Sequence, residues 1–242
     1  MRKGIYILPN SLTMCGMFSG FYAILAAIKG DFIPAAWAIL IAMVFDGLDG
    51  WIARLTNSTT RFGIELDSLS DLVAFGVAPA VVLYQRSLMQ FGRIGWAASF
   101  LFVACGALRL ARYNVQMGST EKKSFTGMPI PGAAAVVATT VIFYNAMTWS
   151  ASKSYFILIL TFVLSILMVS TLRFHGAKEL NFRERKPFSI LVAIAIVLAV
   201  IVMHTEIALF VFAMLYLGVG IIENGFIYYR KYKDMRLSQK KL

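Results

Sequence analysis

The chain has 242 residues, of which 59% are hydrophobic and only 14% are charged, and its formal net charge is +11. A soluble domain of this length needs far more polar surface, so the composition indicates an integral membrane protein. Positive-inside bias and attraction to anionic lipid headgroups account for the charge, and the chain carries no nucleic-acid motif, so we expect no nucleic-acid partner.

Apolar stretches long enough to cross a bilayer recur along the whole chain. They predict an all-α fold, a polytopic membrane bundle of about eight transmembrane helices. The predicted spans lie near residues 11–29, 33–54, 67–86, 94–113, 130–149, 154–172, 188–203 and 206–229. A single long broken helix is the alternative for the last two, but their combined length is too great for one crossing. We expect one membrane-embedded domain over 1–242, ending in a basic cytoplasmic tail over 230–242.

The distribution of basic residues predicts the orientation of the bundle. With the amino terminus in the cytoplasm, nineteen of the 23 Lys and Arg residues fall on the cytoplasmic side of these spans. Cytoplasmic loops of membrane proteins carry such an excess. Both termini are therefore predicted to be cytoplasmic, together with the polar loops 118–131 and 172–187.

Four carboxylates interrupt the second and third predicted helices. Asp46 and Asp49 lie three residues apart in the second, and Asp67 and Asp71 lie four apart at the start of the third. Each spacing puts its pair on one helix face. The short connection makes the two helices antiparallel neighbours, so the two pairs can face each other at one depth on the cytoplasmic side.

Four facing carboxylates repel each other, and charges within a membrane span are costly and usually functional. Solvation at helix ends, or pairing with Arg54 and Arg61, is the structural alternative, but two arginines do not readily neutralise four acids. Oxygen-only ligands suit Mg²⁺, Mn²⁺ or Ca²⁺ rather than zinc. Two such ions can clamp phosphates during displacement at phosphorus, and Arg54 is a natural phosphate partner. The spacing predicts phosphoryl-group chemistry at the cytoplasmic membrane surface.

The motif Asp46-x2-Asp49-Gly50-x2-Ala53-Arg54-x8-Gly63-x3-Asp67-x3-Asp71 resembles the signature of the CDP-alcohol phosphotransferases at all eight fixed positions. The resemblance implies two divalent cations, Mg²⁺ or Mn²⁺, bridged by Asp46 and Asp67. It implies that Asp49 binds one cation, and that Asp71 binds the other and acts as the general base. It also implies a set of contacts with a CDP-lipid: Asn10, Thr13, Gly50, Arg54, Thr60 and Gly63. An N-cap role is the alternative for Asn10.

Two further stretches, Cys105–Asn114 and Phe125–Ala135, resemble the integral-membrane (type II) phosphatidylserine synthases within this family, as does the opening segment LPNSLTMCGMFSGFYAI. This resemblance implies transfer of the phosphatidyl group of CDP-diacylglycerol to L-serine, with release of CMP. We predict that Arg109, Arg112 and Asn114 hold the serine, whose carboxylate an arginine can bind bidentately. There are alternatives for each residue. Either arginine can simply belong to the positive-inside excess, Arg112 can bind a lipid phosphate, and Asn114 can cap the helix.

Other acceptors, such as glycerol phosphate or inositol phosphate, are the alternatives within the family and would need a wider basic pocket. A divalent-cation transporter is the alternative from a different class. The sequence shows neither the repeat symmetry nor the discontinuous helices expected of a transporter. A transporter also leaves the Gly-x2-Ala-Arg spacing unexplained. Family resemblance further implies a homodimer in the cytoplasmic membrane, surrounded by membrane lipids, with its active site facing the cytoplasm.

Overall fold

The structure, a computed structural model, describes residues 7–56, 58, 60–117, 127–147, 155–172 and 204–239. Every regular element in these ranges is helical, which confirms the predicted all-α class. The helices are α1 (Ile7–Lys29), α2 (Phe32–Leu55), α3 (Arg61–Phe91), α4 (Arg93–Met117), α5 (Ile130–Ala146), α6 (Tyr155–Val169) and α7 (Thr205–Gln239). The span predicted near 188–203 lies outside the described residues, so the count of about eight helices stays a prediction.

Five of the described helices are long and apolar enough to cross a membrane: α1 to α4, and α7 over Thr205–Asn224. Helices α5 and α6 are apolar but shorter. The protein is therefore an integral membrane protein, as the composition indicates. Helix α7 continues to Gln239, so most of the basic tail predicted over 230–242 is helical. The cytoplasmic location of both termini stays a prediction.

Small residues bring α1, α2 and α3 into close contact. Ala23, Ala35 and Ala42 are fully buried between the helices, and small side chains at such contacts let helix backbones approach each other. The contact between α1 and α3 is close at Gly20. A Cβ at Gly20 would lie 2.5 Å from the Cα of Ala74, so only glycine fits there. Helix α1 is thus held against both helices that carry the aspartates.

Helix α3 begins at Arg61, six residues before the predicted start at residue 67. Thr60 caps it: its backbone is extended (φ −122°, ψ 155°), and its Oγ1 accepts a hydrogen bond from the Gly63 N–H at 3.0 Å. A threonine in this position satisfies a backbone donor that the helix leaves open. The prediction was wrong because it followed hydropathy, and the first turns of α3 are polar. Beyond Asp71 the helix widens into π-helical turns at Leu72–Val77 and Tyr84–Leu88.

The carboxyl end of α6 is closed by donors from two other segments. The Met128 N–H donates to the Leu167 carbonyl at 3.0 Å, and the Gly127 N–H donates to the Leu172 carbonyl just past the helix at 2.7 Å. The Arg112 guanidinium of α4 donates to the Val169 carbonyl at 3.0 Å. The bonds to Leu167 and Val169 satisfy carbonyls that a helix end leaves open. Gly127 has φ +91°, and a Cβ there would lie 2.4 Å from a carbonyl oxygen of α6. The glycine is therefore required at this contact, three residues before α5 begins at Ile130.

Candidate active site

The four aspartates converge between α1, α2 and α3. A carboxylate oxygen from each of Asp46, Asp49 and Asp67 lies within 4.8 Å of the other two. Asp71, one turn beyond Asp67, lines the same narrow pocket as those three residues. The structure therefore brings the two pairs together across α2 and α3, as the helix spacing predicts. The individual roles of the four residues stay predictions.

Among the residues that the structure describes, two arginines act electrostatically on this cluster. Arg54 attracts Asp46 and Asp49, while Arg109 of α4 attracts Asp71. Two cationic side chains do not balance four carboxylates gathered in a largely buried site. The donor set consists of oxygen alone, and its members are close enough to share an ion. These residues fit hard divalent cations such as Mg²⁺ or Mn²⁺.

A cavity of about 260 Å³ opens beside the cluster, and Asp49 and Asp67 form part of its wall. All six predicted CDP-lipid contacts line this one cavity: Asn10, Thr13, Gly50, Arg54, Thr60 and Gly63. A Cβ at Gly63 would lie 3.2 Å from Thr60 Oγ1 and 3.3 Å from Asn10 Oδ1. Glycine at this position therefore lets α1 and the start of α3 approach each other. Asn10 lies within α1 rather than at a cap.

A larger groove of about 730 Å³ adjoins this cavity, because Asn10 and Thr60 line both. Its other walls are mostly apolar and include Ile7, Met14 and Phe62, all of which are well exposed. The polar cavity at the aspartates is thus next to an apolar groove on the outer surface of α1 and α3. Such a pair of spaces can accommodate a molecule with a charged head and hydrocarbon chains.

The three predicted serine-binding residues do not share one environment. Arg109 is directed toward the site: it attracts Asp71, and its buried Nε has no hydrogen-bond partner among the described residues. Arg112 instead caps the end of α6. Asn114 binds α3, where its side-chain amide contacts the Ser68 hydroxyl at 3.0 Å and donates to Glu65 at 3.4 Å. Only Arg109 combines proximity to the aspartates with an open donor.

Two residues near the site were not identified from the sequence. Ser70 is buried between the aspartates of α3, and its hydroxyl donates to the Thr13 carbonyl at 3.0 Å. Tyr216 of α7 interacts electrostatically with Arg109, and its ring packs over Gly132, where a Cβ would lie 3.1 Å from the ring. A small hydroxyl residue and a tyrosine within an apolar span carry no signal in one sequence. Their positions follow from helix packing alone.

The model of the CDP-alcohol phosphatidyltransferase family matches residues 6–172, which include α1 to α6 and all four aspartates. The chain belongs to this family. It is 39% identical over 228 residues to CDP-diacylglycerol–serine O-phosphatidyltransferase of Helicobacter pylori, an alignment that covers 92% of this chain and 93% of the relative.

Other relatives carry similar names. Archaetidylserine synthase of Methanothermobacter thermautotrophicus is 40% identical over 169 residues, which are 69% of each chain. CDP-diacylglycerol–serine O-phosphatidyltransferase of Mycobacterium leprae is 31% identical over 221 residues, covering 88% of this chain and 73% of the relative. Relatives whose names specify serine thus come from both bacteria and an archaeon.

Proposed function

We propose that this protein is a phosphatidylserine synthase, which transfers the phosphatidyl group of CDP-diacylglycerol to the hydroxyl of L-serine and releases CMP. The observation that carries the proposal is the convergence of the four aspartates beside a cavity lined by all six predicted CDP-lipid contacts. The choice of serine is supported by the names of relatives similar over most of their length, such as the H. pylori enzyme at 39% identity.

The cations proposed for this site are two Mg²⁺ or Mn²⁺ ions held by Asp46, Asp49, Asp67 and Asp71. The carboxylate oxygens of the first three lie within 4.8 Å of each other, which is close enough for shared ligation. When bound, such cations neutralise charge on the diphosphate and on the departing CMP. Family resemblance supports Asp46 and Asp67 as the ligands common to both ions.

Asp71 is the proposed general base, which accepts the proton of the serine hydroxyl. It lies beyond the three clustered carboxylates and near Arg109, on the side of the site that faces α4. The serine oxygen then forms a bond to the phosphorus that bears diacylglycerol. The bond from that phosphorus to the CMP oxygen breaks, and CMP leaves with the electron pair. Positioning of both substrates supplies much of the acceleration in such a transfer.

Arg109 is the residue best suited to bind the serine carboxylate. Its guanidinium offers donors in a planar fork that matches a carboxylate, and its Nε has no partner among the described residues. Arg112 and Asn114 then contribute indirectly, since the first holds the end of α6 and the second holds α3. This division refines the serine site that the sequence suggests.

The lipid substrate and the membrane define the remaining proposals. The CDP head occupies the polar cavity, and at least one acyl chain lies in the apolar groove that shares Asn10 and Thr60 with it. Because basic residues are concentrated at this end of the predicted spans, the site faces the cytoplasm and the protein resides in the cytoplasmic membrane. A homodimer is proposed from family resemblance.

A direct test uses purified protein in detergent with CDP-diacylglycerol and either Mg²⁺ or Mn²⁺. L-serine, glycerol phosphate and inositol phosphate are offered separately, and both CMP release and the phospholipid product are measured. We expect CMP release that requires serine and a divalent cation. Release with another acceptor would reassign the substrate. Metal flux in liposomes without any CMP release would instead favour a transporter.

A further inference from the structure

Helix α1 contacts both acidic helices through two hydroxyl groups. The Thr13 hydroxyl donates to Asp49 Oδ2 of α2 at 2.6 Å, and the Ser70 hydroxyl of α3 donates to the Thr13 carbonyl at 3.0 Å. Thr13, Asp49 and Ser70 are each only 5% exposed. Two buried hydrogen bonds, one at the backbone and one at the side chain of Thr13, therefore connect α1 with α3 and with one aspartate of α2.

The bond from Thr13 to Asp49 is the stronger of the two contacts available to this hydroxyl. The hydroxyl has a single proton, and its oxygen lies 3.1 Å from the Pro9 carbonyl but 2.6 Å from the carboxylate. Bonds from a hydroxyl to a carboxylate are typically about 2.5–2.7 Å long and stronger than neutral ones. Together with the Gly50 backbone N–H, which also hydrogen-bonds to the Asp49 carboxylate, this bond restricts rotation of the Asp49 side chain.

The bond from Ser70 acts on the opposite pair of aspartates, because this residue lies between Asp67 and Asp71. It joins α3 to the backbone of α1 at the level of Thr13. Two turns further along α1, the contact of Gly20 with Ala74 leaves no room between the helices. Helix α3 is thus held against α1 at two levels, and the separation of the two aspartate pairs depends on α1.

We propose that Thr13 and Ser70 are positioning residues for the metal site, in which Thr13 orients Asp49 and Ser70 holds α3 with Asp67 and Asp71 at the required distance from α2. This inference rests on the proposed function, since it presumes that the aspartates bind divalent cations. It gives Thr13 a role that acts through Asp49, in place of the direct CDP-lipid contact expected from the sequence.

The test measures Mn²⁺ binding directly, by electron paramagnetic resonance on the full chain in lipid nanodiscs without CDP-lipid. Thr13→Val keeps the side-chain shape and removes the hydroxyl, Thr13→Ser keeps the hydroxyl, and Ser70→Ala removes the second bond. Ser19→Ala is the matched control, because the Ser19 hydroxyl makes the same kind of interhelical bond, to the Ala38 carbonyl at 2.8 Å, away from the aspartates. The same variants are assayed for CMP release over a range of Mn²⁺ and CDP-diacylglycerol concentrations.

Loss of a partner that orients a metal ligand typically costs about 10–100-fold in metal affinity or activity. We expect Thr13→Val to weaken Mn²⁺ binding within that range and to raise the half-saturating Mn²⁺ concentration in parallel. Thr13→Ser restores most of the binding. Ser70→Ala shifts binding in the same direction by a smaller factor, and Ser19→Ala binds Mn²⁺ as the wild type does.

Several results would overturn the inference. If Thr13→Val binds Mn²⁺ as tightly as the wild type but has a raised KM for CDP-diacylglycerol, Thr13 is a substrate contact and not a positioning residue. An equal loss in Ser19→Ala would indicate general loosening of the bundle. A wild-type protein that binds no Mn²⁺ overturns the two-cation proposal and this inference together. If the wild type binds Mn²⁺ but releases no CMP with serine, the acceptor assignment fails, and the binding comparison still decides the role of Thr13.

Discussion

Replacing Gly20 by alanine tests whether the close contact of α1 with α3 controls the site. The added Cβ would lie 2.5 Å from the Ala74 Cα and 2.7 Å from its Cβ, whereas ordinary contacts begin at 3.4 Å. The obstruction includes backbone, so the two helices must separate by about 1 Å. Overpacking of this kind costs about 1–3 kcal/mol, and the better helix propensity of alanine returns at most about 1 kcal/mol. We expect a net destabilisation of about 1 kcal/mol.

The effect on activity should exceed the effect on stability. Ala74 lies one turn beyond Asp71, so a shift of α3 displaces the proposed base, and a misplacement of about 1 Å can cost about 10²-fold in rate. Thermal unfolding in detergent and CMP release with serine measure the two effects separately. Gly47→Ala is the control, because a Cβ there meets no atom within 4 Å. Full activity and an unchanged Tm in Gly20→Ala would refute the reasoning.

Three further predictions concern the acceptor side and the cations. Arg109→Lys keeps the charge but loses the planar fork of the guanidinium. We therefore expect the KM for serine to rise at least tenfold and the KM for CDP-diacylglycerol to stay unchanged. An unchanged KM for serine would exclude Arg109 from the serine site. Arg112→Ala removes the cap on Val169, and the loss of a charged hydrogen bond, about 1.5–3 kcal/mol, should lower Tm while serine KM stays within about twofold. A serine KM that rises as much as in Arg109→Lys would contradict that division of roles. Chelation with EDTA should abolish CMP release and Mg²⁺ or Mn²⁺ should restore it, so release that persists without divalent cations would contradict the two-cation proposal.

The aspartate cluster could be predicted because its geometry is local. Spacings of three and four residues define one helix face, and a connection that runs only from Thr56 to Thr60 makes α2 and α3 neighbours. The start of α3 could not be found by hydropathy, since its first turns are polar. Its signal was the threonine cap before Gly63, which is visible only when capping is considered together with apolar length.

The acceptor side could not be resolved from the sequence for a different reason. Arg109 and Arg112 lie three residues apart on one helix face, so spacing gives them the same role. Their partners are decided by which helix packs nearby: Asp71 of α3 for the first, and the end of α6 for the second. Tyr216 was missed because it lies on α7, far along the chain from Arg109 and from Gly132, over which its ring packs. Contacts between helices far apart in the chain leave no local pattern.

The position of Tyr216 on α7 has a consequence for how acceptor choice can diversify. The aspartates and the six cavity residues belong to α1, α2, α3 and the connection before α3, one contiguous part of the chain. Tyr216 lies beyond the residues 6–172 that the family model matches, yet it interacts with Arg109. In the proposed mechanism, the residues that act on the phosphate lie on α1 to α3, whereas Arg109, the proposed serine ligand, also has a neighbour on α7. We therefore expect substitutions at Tyr216 to change the surroundings of Arg109 and to leave the aspartate cluster unchanged.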